Sequence, residues 1–432
     1  MARKHIIGVA AMATAAALLL AGCSGGSSNS ADSGKVTGPI TVLTNRTDLV
    51  DTVLAGYKKT FEAKYPGTTV TFEAITDYEG EVAIRMNTDK YGDVLNIPNS
   101  ITKDKLASYF EPLGKEDDLS KKYLFTSEQS FDGTTYGIAT TGNAQGYVYN
   151  TKVWAAAGIT SAPKTPDEFL ADLKAIKDKT QAIPLYTNYK DGWPMSKWQD
   201  QMGFSGPDAN NTLTTQDAPW TQGNDMYTID SILYNAVHSG YTEPDPATTN
   251  WENSKTLIGS GKIGTMVLGS WAIVQMQDAA VKAGGAKTDI GYYPFPVQVG
   301  GTFQSPIGGD YKMGINVHST NKVTARAWID WFANESGFAK DQGGVSPVVG
   351  GALPDSLASF TSLGVKFVQL TPPARGQESK LTDIANGAEI DLTGNVYRQK
   401  LVDIARGAVP GDMASYFAEL NSKWKAAKAT VG

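Results

Sequence analysis

The sequence predicts an α/β fold, and three observations lead there. Strand-like apolar runs alternate with helix-like amphipathic stretches along most of the chain, the pattern of layered sheets with a parallel component. Of 432 residues, 41% are hydrophobic, 10% aromatic and only 19% charged, a composition that buries surface rather than remaining disordered. The length allows two or three domains at roughly 150 residues each.

The elements follow in order. Residues 39–44 read as a buried strand, and a helix over 48–65 comes next, because Leu49, Val53, Leu54, Tyr57 and Phe61 recur at spacings of three and four and so share one face. Residues 68–75 alternate as a strand, 79–87 form a short helix, and 93–97 form another strand ending before Pro98. Asp132-Gly133 marks a hairpin turn leading into a crossing strand near Ile138. After strand-like 147–150 comes a helix at 152–157, then a helix start at Pro166 with Asp167 and Glu168 in its first turn. A second strand set covers 183–186, 265–268 and 290–293. Residues 251–258, 323–332 and 416–429 read as helices.

Ahead of these elements the chain begins with Arg3, Lys4 and His5, an apolar run over 6–20, and Leu20-Ala21-Gly22-Cys23. The run is shorter than the ~20 residues that span a bilayer and has the pattern of a signal peptide. The junction resembles the lipobox of bacterial lipoproteins, whose cysteine is acylated. Cys23 is the only cysteine, so no intramolecular disulfide is available to it. Residues 1–22 are thus expected to be a leader and 23–35 a flexible Ser/Gly-rich tether. A lipid-anchored protein on the outer face of the cell membrane is expected.

Several chemistries are excluded or weakened. A net charge of −6, more negative once the basic leader is gone, argues against a nucleic-acid partner. Past the leader only His238 and His318 remain, so a Cys/His metal site and a serine triad lack their ligands and base. Gly259-Ser260-Gly261-Lys262-Ile263-Gly264 fits a dinucleotide fingerprint, but it follows a helix and precedes a strand, the reverse of the order that presents amides to phosphate. Paired carboxylates for glycoside cleavage stay open, because 44 acidic residues offer many pairs.

Landmarks occur in a fixed order: Thr60-Phe61-Glu62-Ala63-Lys64-Tyr65-Pro66-Gly67, Gly92-Asp93-Val94-Leu95, Asp132-Gly133 with Tyr136-Gly137-Ile138, Tyr147-Val148-Tyr149-Asn150-Thr151, Pro163-Lys164-Thr165-Pro166-Asp167-Glu168-Phe169, and Gly261-Lys262-Ile263-Gly264-Thr265-Met266 followed by Gly269-Ser270-Trp271. Over residues 36–432 the chain resembles the extracellular solute-binding proteins of bacterial ABC importers, in the sugar-binding group related to maltose-binding protein. The resemblance implies two discontinuous α/β lobes joined by a hinge, of the type II periplasmic-binding-protein kind. Lobe one is expected at 36–144 and 305–340, and lobe two at 145–304 and 341–432. It also implies a monomer that captures a neutral oligosaccharide between the lobes, passes it to the transmembrane subunits of an ABC permease, needs no cofactor or metal and catalyses nothing. A secreted, lipid-anchored glycoside hydrolase, or a binder of polyols or peptides, is the alternative.

A sugar presents hydroxyls at its rim and weakly polar C–H faces, so its site calls for aromatic plates with amides, carboxylates and guanidinium groups. Such sites lie beyond the carboxyl ends of strands, which selects Asn45, Arg46 and Asn96, together with Asn143 in the crossover. Asp191 and Trp193 stand in a loop, where a large ring needs a reason. The family counterpart of Trp271 stacks on sugar. Gly309, Asp310 and Tyr311 resemble the hinge-side segment that faces the cleft. Trp154, Trp328, Trp331 and Trp424 are expected in the core, while Trp198, Trp220 and Trp251 stay unassigned.

Overall fold

The computed structural model describes residues 34–432; the leader and Cys23 lie outside the described residues. Two sheets organise the chain. The first has the order Thr68–Ala74, Gly38–Thr44, Val94–Asn96, Lys312–Ile315, Ile138–Ala139. Its first three strands are parallel, with Val42 opposite both Phe72 and Val94, and the last two join antiparallel. Alternation along Gly38–Thr44 splits its side chains: Ile40 and Val42 enter the core with Phe61, Trp328 and Phe332, whereas Leu43 enters the opposite core with Tyr78, Leu95 and Phe110.

The second sheet is built on the nine-residue strand Gly142–Asn150. Along one edge it pairs antiparallel with Ile263–Gly269, which continues parallel to Ile183–Leu185. Along the other, its first residues meet Thr302–Gly309 and its last meet Ile290–Pro294. Ala144 and Val148 face one core with Met266, Leu268 and Tyr292; Tyr147 faces the other, with Trp154, Phe169 and Trp198. Residues 142–144 and 305–309, expected in lobe one, extend this second sheet, because both strands keep pairing beyond the point where the chain changes sheets.

Three passages link the sheets side by side. Thr140 N–H donates to the Tyr311 carbonyl (2.9 Å), Asp310 N–H to the Thr141 carbonyl (2.8 Å), and Gly142 and Val345 exchange both backbone bonds (2.7 Å each).

The helices explain themselves locally. Thr165 caps Pro166–Lys179 by accepting from Glu168 N–H (3.2 Å), while Glu168 Oε2 accepts from Lys164 N–H (2.6 Å). In Lys322–Glu335, Ala325, Trp328, Ile329 and Phe332 are buried on one face. The helix expected over 48–65 is regular only over Ala55–Lys64. Its first turn, Val50–Leu54, is wider: Leu54 N–H reaches back five residues to the Leu49 carbonyl (3.0 Å). Asp132 and Gly133, at φ 46° and 72°, turn the short hairpin between Ser130–Phe131 and Thr134–Thr135. Gly259 to Gly264 run from the end of the helix Trp251–Gly259 into the strand Ile263–Gly269, so no helix N-terminus meets the glycines.

Candidate functional site

Between the two sheets lies a cleft with two adjoining chambers. The larger, about 1140 Å³, takes its walls from both sheets: Thr44, Asn45 and Arg46 from the end of the first strand, and Trp193, Trp251 and Trp271 from the other side. The smaller, about 500 Å³, continues past Asn143, Trp271, Asp310 and Tyr311, which line both chambers.

The aromatic wall is the most distinctive feature. Trp193 and Trp251 have ring centroids 4.8 Å apart at 72°, and Trp271 stands 5.8 Å from each of them. Trp193 is 38% exposed, unusual for so large a ring unless something covers it. Local chemistry fixes the wall. Asn188 (φ 56°) and Gly192 (φ 74°) bend the loop before Trp193, and Asn250 caps the helix that begins at Trp251. Gly269 gives Trp271 its place, since a Cβ there would stand 2.7 Å from the indole Nε1.

Opposite the wall are amides and a charged lip. Asn96, 5% exposed, donates from Nδ2 to Asn45 Oδ1 (3.2 Å), and its own Oδ1 has no donor among the described residues. Arg46 is already engaged: Nε and Nη2 fork onto Asp48 (2.9 and 2.7 Å) and Nη1 donates to Gln342 (2.8 Å). The fork holds the Asp48 carboxyl below the ordinary carboxylate range. Arg46 therefore shapes the lip with three of its five N–H donors already engaged.

Tyr311 is pinned from below, its hydroxyl donating to Glu79 Oε1 (2.7 Å) and its ring edge-on to Tyr78 at 5.8 Å. Burial, and then the Glu79 carboxylate, push its phenol pKa up, so it stays neutral. Asp310 turns one carboxylate oxygen to the Tyr311 N–H (2.9 Å). Gly309 lines the smaller chamber, where its N–H donates to Glu128 Oε1 (2.9 Å).

Nine of the ten residues selected from sequence thus line the chambers. Asp191 does not; its carboxylate accepts from the Trp251 N–H. Of the unassigned tryptophans, Trp198 and Trp220 are buried in the core, and Trp251 joins the wall. Sequence reasoning left Trp251 open and missed Gln145. Both left a signal: Asn250 as a cap places Trp251 at a helix end, and Gln145 shares the face of Asn143 two residues away. His238 ends its helix against the Ala405 carbonyl and His318 pairs with Asp89, both outside the chambers.

The model of the bacterial extracellular solute-binding protein family matches residues 45–337. A manno-oligosaccharide specific solute binding protein from Bifidobacterium animalis subsp. lactis, solved with mannotriose, has 34% identity and a TM-score of 0.83, covering 92% of this chain and 96% of that one. A second binding protein of an ABC transporter from that organism, solved with mannobiose, has 33% identity and the same TM-score, covering 91% and 95%. The diacetylchitobiose binding protein of Streptomyces coelicolor is 25% identical over 293 residues; the match spans 66% of this chain and just under two thirds, 64%, of that protein.

Proposed function

This chain belongs to the bacterial extracellular solute-binding protein family, and from that premise we propose that its cleft captures a neutral oligosaccharide for delivery to an ABC permease. The fold is that of type II periplasmic-binding-protein-like receptors, and relatives of this architecture bind manno-oligosaccharides and diacetylchitobiose. One observation carries the reading: three tryptophans form a wall in the same chamber as the buried side-chain oxygens of Asn96 and Asn143, which have no donor among the described residues. Aromatic faces suit sugar C–H surfaces, and amides suit hydroxyls.

Residues Asn45, Asn96, Asn143, Trp193, Trp251, Trp271, Asp310 and Tyr311 are the proposed contacts, with Arg46 at the lip and Asp191 behind the wall. We place the lobe boundaries at the three crossings near residues 140, 310 and 344, which act as the hinge. A ligand touching both lobes binds the closed form better and so draws the lobes together. Cys23 is the proposed lipid attachment, with the protein a monomer on the extracellular face of the cell membrane that binds without turnover.

Calorimetry against manno- and chito-oligosaccharides tests this reading, with chromatography of the mixtures after prolonged incubation. Binding at micromolar Kd with ligands recovered intact is expected. No binding, or the appearance of shorter products, would refute it.

A further inference from the structure

The smaller chamber holds polar atoms that the rest of the fold leaves without partners. Asn143 and Gln145 stand two residues apart on Gly142–Asn150, so both side chains leave the same face of the strand. Each is 8% exposed, each lines this chamber, and neither Asn143 Oδ1 nor Gln145 Oε1 meets a donor among the described residues. Burying an acceptor without a donor is unfavourable, and a bound hydroxyl would relieve it.

The lysines of the chamber are occupied. Lys312 Nζ contacts Glu128 (2.5 Å) and donates to the Gly309 carbonyl (2.9 Å). Lys197 pairs with Asp200 (3.0 Å), and Lys103 donates to the Ser127 carbonyl (2.9 Å). None of these lysines donates to the two amide oxygens, which therefore call for donors from a ligand, such as sugar hydroxyls. Gln145 also marks where the chamber meets the aromatic wall: beside Gly269, the point a Cβ would fill is 3.2 Å from Gln145 Oε1 and 2.7 Å from Trp271 Nε1.

We propose that Gln145, with Asn143, accepts hydroxyls of sugar units that run beyond the tryptophan wall into the smaller chamber, so that the site discriminates neutral oligosaccharides by chain length. The inference rests on the oligosaccharide reading of the cleft. It assigns the wall to general affinity and the two amides to the extra units.

The test is calorimetry of the purified protein with mannobiose, mannotriose and mannotetraose, and with the matching chito-oligosaccharides. Affinity should rise at least tenfold with length in the better-bound series. Gln145→Met, which keeps size and removes the acceptor, should reduce that rise to under threefold. Gln145→Glu, which keeps an acceptor, should retain most of it, and provides the reading if Gln145→Met fails to fold by circular dichroism. Trp193→Ala should weaken every length by a similar factor and leave the rise in place. A flat length dependence in the unmodified protein, a full rise in Gln145→Met, or loss of the rise in Gln145→Glu would overturn the inference while the sugar reading stood. Absence of binding to both series would remove both.

Discussion

Trp271→Ala should weaken oligosaccharide binding by about 3 kcal/mol, and the figure follows from the geometry of the wall. A tryptophan buries ~150–250 Å² when fully covered. Giving one face to a sugar removes roughly 100 Å² from water, worth ~2.5 kcal/mol at ~25 cal/mol per Å². Trp271 also makes two of the three ring contacts in the wall, at 5.8 Å to each neighbour. Its removal deletes both of those contacts, which adds ~0.5 kcal/mol. At 1.4 kcal/mol per tenfold, the expected rise in Kd is about 100- to 200-fold. Isothermal calorimetry with the best-bound oligosaccharide measures it directly, and circular dichroism checks that the second sheet remains intact. A Kd within threefold of the unmodified protein, in a folded variant, would show that the wall does not carry the ligand.

Further predictions address the frame and the pH response. Asp191→Ala removes the carboxylate that receives the Trp251 N–H; it should raise Kd about fivefold, a loss of ~1 kcal/mol, while Trp251→Ala alone and in combination with it should give nearly the same Kd. Arg398 and Asp230 are both fully buried and joined at 2.9 Å, with Trp220 Nε1 donating to the same carboxylate (2.7 Å). Arg398→Met should cost ~3–5 kcal/mol in urea unfolding because a buried carboxylate loses its cation, and a loss under 1 kcal/mol would contradict the assignment. Burial first, and then Glu168, raise the Asp172 carboxyl to about 6. Its folded form holds the proton more tightly than the unfolded chain, so its contribution is complete below about pH 4 and is lost as pH rises through about 6. Asp172→Asn should therefore match the unmodified protein near pH 4 and exceed it at pH 7 by ~1 kcal/mol after solvent screening. Equal melting curves at pH 7 would argue against the raised value.

What the sequence conveyed depended on how local the cause was. The strand Gly38–Thr44 and the helix Lys322–Glu335 follow from apolar periodicity alone, because each buries a face whose spacing is written into consecutive residues. The start at Thr165-Pro166 was equally legible, since a cap, a fixed φ and an acidic first turn lie within four residues. Interactions between distant segments were not. Arg46 reads as a candidate ligand residue after a strand, yet its third bond goes to Gln342, 296 residues away. Asp191 reads as the polar neighbour of Trp193, yet its carboxylate turns to a helix start 60 residues later.

The same distinction explains the tryptophans. Trp251 opens a helix whose pattern suggests burial, but the first residue of a helix has no preceding turn to pack upon, and its ring is free to join a surface assembled from other segments. Trp193, expected in a loop, instead opens the short helix Trp193–Ser196; Trp251 opens the helix Trp251–Gly259, and Trp271 stands between the strand Ile263–Gly269 and the helix Ala272–Lys282. A binding wall made this way keeps each ring on a separate rigid support, so the three need not move together. Replacing Gly269 by alanine would press on one ring of the wall, since the atoms nearest the added Cβ belong to the Trp271 and Gln145 side chains. Gly269→Ala should therefore weaken oligosaccharide binding in calorimetry, whereas in a Trp271→Ala background the same substitution should add little, because the indole it presses on is gone. A Kd within threefold of the unmodified protein for Gly269→Ala alone would show that the ring keeps its place.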